Sequence, residues 1–261
     1  MIDYFVIGHD ISKYESTDSC HSTFIEIGTK RSQHNQNTIR CIDLPHNIEQ
    51  YRYLCAFTGW YAIAKNFLYN NKYVCLLEYD TKVLANLHQS NIKALTTNPK
   101  AVIAYSYTQM DHYVFTKSTP WLEISLKKIY NLDLQQFVSD YRRQFPFWPT
   151  TTNLTIGTDV LEQFIRWFEP MCELFRHYEL GAYVQERAFF VFCVIHNIPI
   201  TYCLNTVYHQ QQKSHGITDI YGLVLKQYNA HGLKDNMKPI YDQIYNQELD
   251  KAMHQLQKYE R

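Results

Sequence analysis

The sequence predicts an α/β fold: a single Rossmann-like domain whose central sheet is mixed but mostly parallel and flanked by helices. Two observations carry this. Residues 73–77, Tyr-Val-Cys-Leu-Leu, form an unbroken apolar run, as strands do when both faces of a parallel sheet are covered. Around it, short apolar runs alternate with longer stretches of helical character from Tyr4 to Leu204. A chain of 261 residues can bury one large core, and no linker, repeat or low-complexity segment divides it.

The elements follow in order from local pattern. Tyr4–Ile7 reads as a first strand, with Gly8-His9-Asp10-Ile11-Ser12 as the loop at its carboxyl end. In an α/β sheet that loop faces the ligand crevice, where His9 and Asp10 would touch a nucleotide base or ribose; a polar turn without a ligand has the same composition. Phe24–Ile27 alternates like a half-buried strand, and Ile39–Leu44 is a further strand closed by Pro45. Asn47 and Gln50 have capping-box spacing, which predicts a helix from there to about Asn70. Lys65 within it is either a solvated lysine or a phosphate contact.

Next comes Glu78-Tyr79-Asp80, two carboxylates separated by one residue at the carboxyl end of the apolar strand. Alternation along an extended chain would point both acids the same way. Two oxygen donors there suit a hard divalent cation holding a diphosphate. The bare triplet also fits a solvated turn, but the strand before it and the run Lys82–His88 after it place it in a βα crevice.

Lys100–Tyr105 is another strand, with Tyr113–Phe115 as a candidate neighbour. Trp121–Tyr130 and Leu134–Gln144 read as helices, and Phe147-Trp148-Pro149 opens an aromatic loop before a short strand, Leu154–Ile156. Thr158 or Asp159 is expected to cap a helix over Val160–Phe168, which Pro170 interrupts. Gly181–Asn197 is the most apolar helix, with Glu186 and Arg187 near its start. A carboxylate there is favoured by the helix dipole; it does acid or base work if it faces a pocket, and otherwise forms a structural ion pair. Pro199–Leu204 is the last strand, leading to His209, Lys213 and His215, which could offer imidazole nitrogen to a metal and positive charge to a phosphate, or belong to a polar surface loop. The remainder reads as polar and helical.

Composition excludes some partners. Twenty-five basic residues balance twenty-five acidic ones and no basic block occurs, so the electrostatic footprint of a nucleic-acid binder is missing. Seven cysteines lie scattered without CxxC spacing, most of them in apolar stretches, which points to free thiols in a reducing compartment. There is no signal-peptide pattern and no apolar run approaching the roughly 20 residues that span a bilayer. A soluble, cytoplasmic protein is expected, in a host's cytoplasm if the chain is viral.

The order of these pieces resembles the GT-A glycosyltransferases, and in its general plan the small glycosyltransferase domains encoded by large algal viruses. The residues that carry the resemblance are Val6 to Ser12, the triplet Glu78-Tyr79-Asp80, the Glu186-Arg187 pair opening a late apolar helix, and His209 after the final strand. Glutamate stands where the DxD-type motif has its first aspartate. The resemblance implies glycan biosynthesis by transfer of a hexose or pentose from a nucleotide sugar, expected to be a UDP-sugar, to a glycan or other hydroxyl acceptor. It implies Mn2+ or Mg2+ held by Glu78, Asp80 and His209, and a nucleotide-sugar site involving Gly8, His9, Asp10, Lys65, Glu78, Tyr79, Lys213 and His215. About residues 1–110 would be the nucleotide-binding half, about 111–220 the acceptor half, and 221–261 a tail. Asp80 and Glu186 are the expected catalytic acids; Trp121, Phe147 and Trp148 belong either to the acceptor side or to ordinary packing. Ala230–Pro239 loosely looks like a late segment of glycogenin-like transferases, which makes His231 a second candidate ligand, ranked below His209. Two rival functions are a metal-dependent nucleotidyltransferase, which would want a glycine-rich loop where Gly8 stands alone, and a non-catalytic carbohydrate- or protein-binding module.

Overall fold

A computed structural model describes residues 1–18, 20–28, 37–109, 120–141, 143–149, 152–176 and 181–209, with 246, 247, 249–251, 253 and 254 near the carboxyl end. Its centre is a seven-stranded sheet. Strands β1 (Ile2–Gly8), β3 (Ser22–Glu26), β4 (Thr38–Arg40), β5 (Tyr73–Glu78), β7 (Val102–Ala104), β10 (Leu154–Gly157) and β11 (Ile200–Tyr202) lie in the order β11-β7-β10-β5-β1-β3-β4. Every pairing is parallel except those of β10, which runs antiparallel between β5 and β7. The mixed, mostly parallel sheet is therefore as the sequence predicts. The chain leaves β1 towards β3 and β4 on one side and returns with β5 on the other, so the strand order reverses between β1 and β5. Open α/β sheets bind ligands outside the carboxyl ends of their strands at such a switch point.

Alternation along β1 and β5 feeds two cores. Phe5, Ile7, Val74 and Leu76 face the helices α1 (Ala56–Lys65), α3 (Pro120–Tyr130), α4 (Leu134–Tyr141), α5 (Thr158–Phe168) and α6 (Gly181–Ile195), where Trp60, Phe164, Phe189 and Phe192 interlock edge to face. Tyr4, Val6, Cys75 and Leu77 face the opposite core beneath α2 (Leu87–Thr97). A small sheet of β2 (Glu15–Ser16), β6 (Thr81–Val83) and β12 (Val207–His209), ordered β12-β6-β2, sits at the carboxyl end of β5. A two-stranded ribbon pairs β8 (Thr108–Gln109) with β9 (Phe147–Trp148).

Three local expectations change. The helix predicted from Asn47 begins at Ala56, because Cys55 has φ 45° and breaks the helical path after a short 3-10 turn at Arg52–Leu54. Asn47 forms a local turn, accepting from Glu49 N and donating to Leu44 O. Helix α5 starts at Thr158 with Gly157 in the cap position, and Thr158 Oγ1 donates instead to Lys72 O, so neither Thr158 nor Asp159 caps it. Pro170 falls at the start of a 3-10 segment, Glu169–Phe175, which continues α5. The strand candidate Tyr113–Phe115 lies outside the described residues.

Candidate functional site

The apolar strand β5 ends at Glu78, and Tyr79 and Asp80 form the turn that carries the chain into β6. Because the extended conformation stops at Glu78, the acids are not displayed on one strand face as alternation predicts. Glu78 keeps the α1 and α6 side of the sheet, following Val74 and Leu76. Asp80 is buried in the turn, only 4% exposed. Asn153, just before β10, fixes this corner: its Oδ1 accepts from Glu78 N (2.7 Å) and from Thr81 Oγ1 (3.1 Å), while its Nδ2 donates to Glu78 Oε2 (3.2 Å). Thr152 Oγ1 donates to Glu78 Oε1. These hydrogen bonds fix the orientation of the Glu78 carboxylate.

Tyr79 bridges to β1. Its N–H donates to Ile7 O (2.9 Å), its ring lies 4.4 Å from that of His9, and it packs flat on Gly8. A Cβ on Gly8 would stand 2.3 Å from Tyr79 Cβ, so glycine is required there for close approach and not for backbone freedom. Asp10 caps the 3-10 turn Ile11–Lys13, accepting from Ser12 N (3.1 Å) and Ser12 Oγ (2.6 Å). The structure thus brings Gly8, His9, Tyr79, Glu78 and Asp80 together across the switch point. Lys65 is engaged elsewhere: its Nζ pairs with Glu169 Oε2 at 2.6 Å, at the far end of α1.

Beside the triplet opens a cleft of about 490 Å³, lined by His9, Gly28, Glu49, Arg52, Cys55 and Thr58 among others. Glu49 Oε2 accepts from Gly28 N (2.9 Å), while Oε1 is buried without a hydrogen-bond partner among the described residues. Burial pushes the Glu49 carboxyl above its ordinary range. Cys55 is an exposed residue at the amino end of α1. Surrounding protein, and secondly the charge of Glu78, push that thiol up to about 11. No side chain caps α1, and an uncapped helix start attracts anions. Sequence reasoning missed Glu49, Cys55 and Asn153. Only the unexpected end of the predicted helix could have drawn attention to Cys55.

On α6, Glu186 is mostly buried, with Oε2 4.0 Å from Arg187 Nη1. Arg187 lies 4.7 Å over the Trp148 ring and donates to Tyr183 O (3.0 Å). The Tyr183 hydroxyl is raised by burial and by the Glu186 charge, and Cys55 also acts on it. The charge of Glu78 also acts on the Cys55 thiol. Trp121 and Trp148 are buried, whereas Phe147 is exposed.

For a divalent cation, the chemistry of the donors present is suitable: two carboxylates at one corner, one of them already oriented. Among the described residues no group of three or more His, Cys, Asp or Glu side chains gathers to hold a metal. The backbone register of β12 on β6 sets His209 opposite Thr81, next to Asp80. Lys213, His215 and His231 lie outside the described residues.

Comparison with family models finds no match, and neither does comparison with curated proteins. Among solved structures, the chain is similar to the apo structure of the bifunctional glycosyltransferase WbbM, with a TM-score of 0.54 and 11% identity over 81% of this chain and 45% of that one. It therefore spans less than half the length of that protein. At such identity the likeness speaks to the fold: this chain has a glycosyltransferase-type α/β fold. No helix among the described residues is long and apolar enough to cross a membrane.

Proposed function

We propose that the protein is a glycosyltransferase that uses a nucleotide-sugar donor, a UDP-sugar in the first instance, and a divalent cation. The observation that carries this reading is the placement of an oriented carboxylate, Glu78, and the buried Asp80 beside a nucleotide-sized cleft at the switch point of the sheet. The similarity in fold to WbbM supports it.

In this reading the cleft takes the nucleoside. Glu49 Oε1, a buried acceptor without a partner among the described residues, receives a base N–H. The edge formed by His9 and Tyr79 lies against the ribose and diphosphate. The diphosphate faces the amino end of α1, whose dipole favours negative charge. Glu78 and Asp80 hold Mn2+ or Mg2+, with His209 completing the set. When bound, the cation supplies positive charge to the departing diphosphate. Glu186, on α6, is the acid of the acceptor side. It takes the proton of the acceptor hydroxyl if the configuration inverts, or orients the acceptor if it is retained. Arg187, stacked on Trp148, holds Glu186 beside that position.

The test is release of nucleoside diphosphate from a panel of nucleotide sugars with Mn2+. Metal-dependent release in the wild type, reduced at least a hundredfold in Asp80→Ala with the fold intact by circular dichroism, is expected. Release of pyrophosphate would point instead to nucleotidyl transfer, and an Asp80→Ala variant as active as the wild type would sink the proposed site.

A further inference from the structure

We propose that Tyr107, Phe147 and Tyr202 form a stacking platform for a carbohydrate chain, so that the acceptor is an extended glycan and not a small alcohol; the acceptor part of this inference rests on the transferase reading above. Large aromatic side chains normally contribute to cores. Here Tyr107 is 44% exposed and Phe147 43%, and they come from separate elements: Tyr107 follows β7, and Phe147 opens β9. Their ring centroids are 4.8 Å apart at 64°, and Tyr202, the last residue of β11, lies 5.6 Å from Tyr107 at 68°. The Tyr202 hydroxyl donates to Phe147 O (3.4 Å), which ties the third ring to the ribbon. Edge-to-face packing sets the Tyr107 ring against both of the others.

A groove of about 420 Å³ with mixed walls continues from Tyr202 along α2, with Lys93, Asn98, Thr201 and Leu204 among its lining residues. Flat aromatic faces next to lysine, amide and hydroxyl groups match the two aspects of a sugar, its apolar C–H face and its hydroxyl rim. A dry protein interface would want a continuous apolar surface, and a nucleic acid would want more than one lysine. Tyr107 and Tyr202 follow or end the parallel strands β7 and β11, which puts the platform on the same sheet edge as Glu78. The chain from Tyr202 to His209, opposite Thr81, is seven residues long, which with the step across the ladder bounds the separation of platform and triplet at roughly 30 Å. A glycan of several units can bridge any separation within that bound.

The experiment is calorimetric titration with oligosaccharides of glucose, galactose and mannose, each two to six units long, into wild type and a Tyr107→Ala/Phe147→Ala double variant. At least one series is expected to bind the wild type with affinity rising with length. The double variant should bind it at least tenfold more weakly, at an unchanged melting temperature and with unchanged manganese-dependent stabilisation by nucleotide. Absence of binding by all three series, binding indifferent to length, or binding that survives the double substitution would overturn the platform. So would a change of the variant from dimer to monomer in sedimentation, which would make the rings a contact between copies. Length-dependent binding in a wild type that no nucleotide stabilises would support the glycan site while removing the transferase reading.

Discussion

At the scale of single residues the cleft is defined by groups whose neighbours set their chemistry. Cys55 is the one exposed residue among the described cysteines; Cys41, Cys75, Cys172 and Cys193 are buried and Cys20 and Cys203 half-buried. A thiol raised to about 11 is protonated at neutral pH, and only the thiolate alkylates. Iodoacetamide is therefore expected to label Cys55 first, slowly at pH 7 and about tenfold faster per pH unit up to pH 10. Nucleotide with Mn2+ should protect it; peptide mapping by mass spectrometry checks site and rate. Glu49 gives a second pH dependence. Its folded-state carboxyl is raised by burial, so the native state holds the proton more tightly than the unfolded chain does, and ionised Glu49 opposes folding at neutral pH. The ionised form is the stronger acceptor for a base N–H. Nucleotide binding should therefore weaken as pH falls through that raised value, at a higher pH than an ordinary carboxylate near 4.3 would dictate. Glu49→Gln should bind weakly at all pH values between 5 and 8, as titration of nucleotide affinity against pH would show. The acids Glu78 and Asp80 were legible because they end an apolar run. Glu49 and Cys55 were not, since their roles arise from a chain reversal that no local pattern announces.

Between elements, the decisive joint is the corner where β5, β6 and β10 meet. The strands themselves were readable as apolar runs, and the late helix as a long one. The antiparallel course of β10 was not, because direction is set by pairing with β5 and β7 and leaves no trace in the periodicity of four residues. That course delivers Asn153 to the end of β5, where it binds Glu78 N, Glu78 Oε2 and Thr81 Oγ1 at once. Asn153→Ala removes three hydrogen bonds and leaves partly buried donors without partners, at a cost of about 1–3 kcal/mol. It also removes one of the bonds that orient the Glu78 carboxylate, leaving that from Thr152. Urea denaturation should show the lost stability, and the affinity for Mn2+ in the presence of nucleotide should fall ten- to a hundredfold, as loss of an orienting partner does at metal sites. Normal metal affinity at reduced stability would make Asn153 a purely structural clamp.

The whole molecule places its chemistry by topology: β1 and β5 part the two halves of the sheet, and everything assembled at the crevice arrives from a different stretch of chain. Gly8 shows how tightly the halves close. With Tyr79 Cβ 2.3 Å from where a Gly8 Cβ would stand, Gly8→Ala must separate β1 from the turn after β5. Overpacking of this kind costs about 1–3 kcal/mol, and it acts on the crevice itself. Ligand linkage gives the complementary reading. A ligand that binds only the folded state at a hundred times its dissociation constant adds about 2.7 kcal/mol. For a chain of this size that is a rise of roughly 5–10 °C in melting temperature. We expect such a rise with one nucleoside diphosphate in the presence of Mn2+, a rise of less than about a third of that without metal, and almost none in Asp80→Ala. The Gly8→Ala variant should melt lower and also lose most of the rise, because the surfaces that the nucleotide joins no longer meet. Full stabilisation of a destabilised Gly8→Ala variant would separate the switch point from the nucleotide site and move the site elsewhere on the sheet edge.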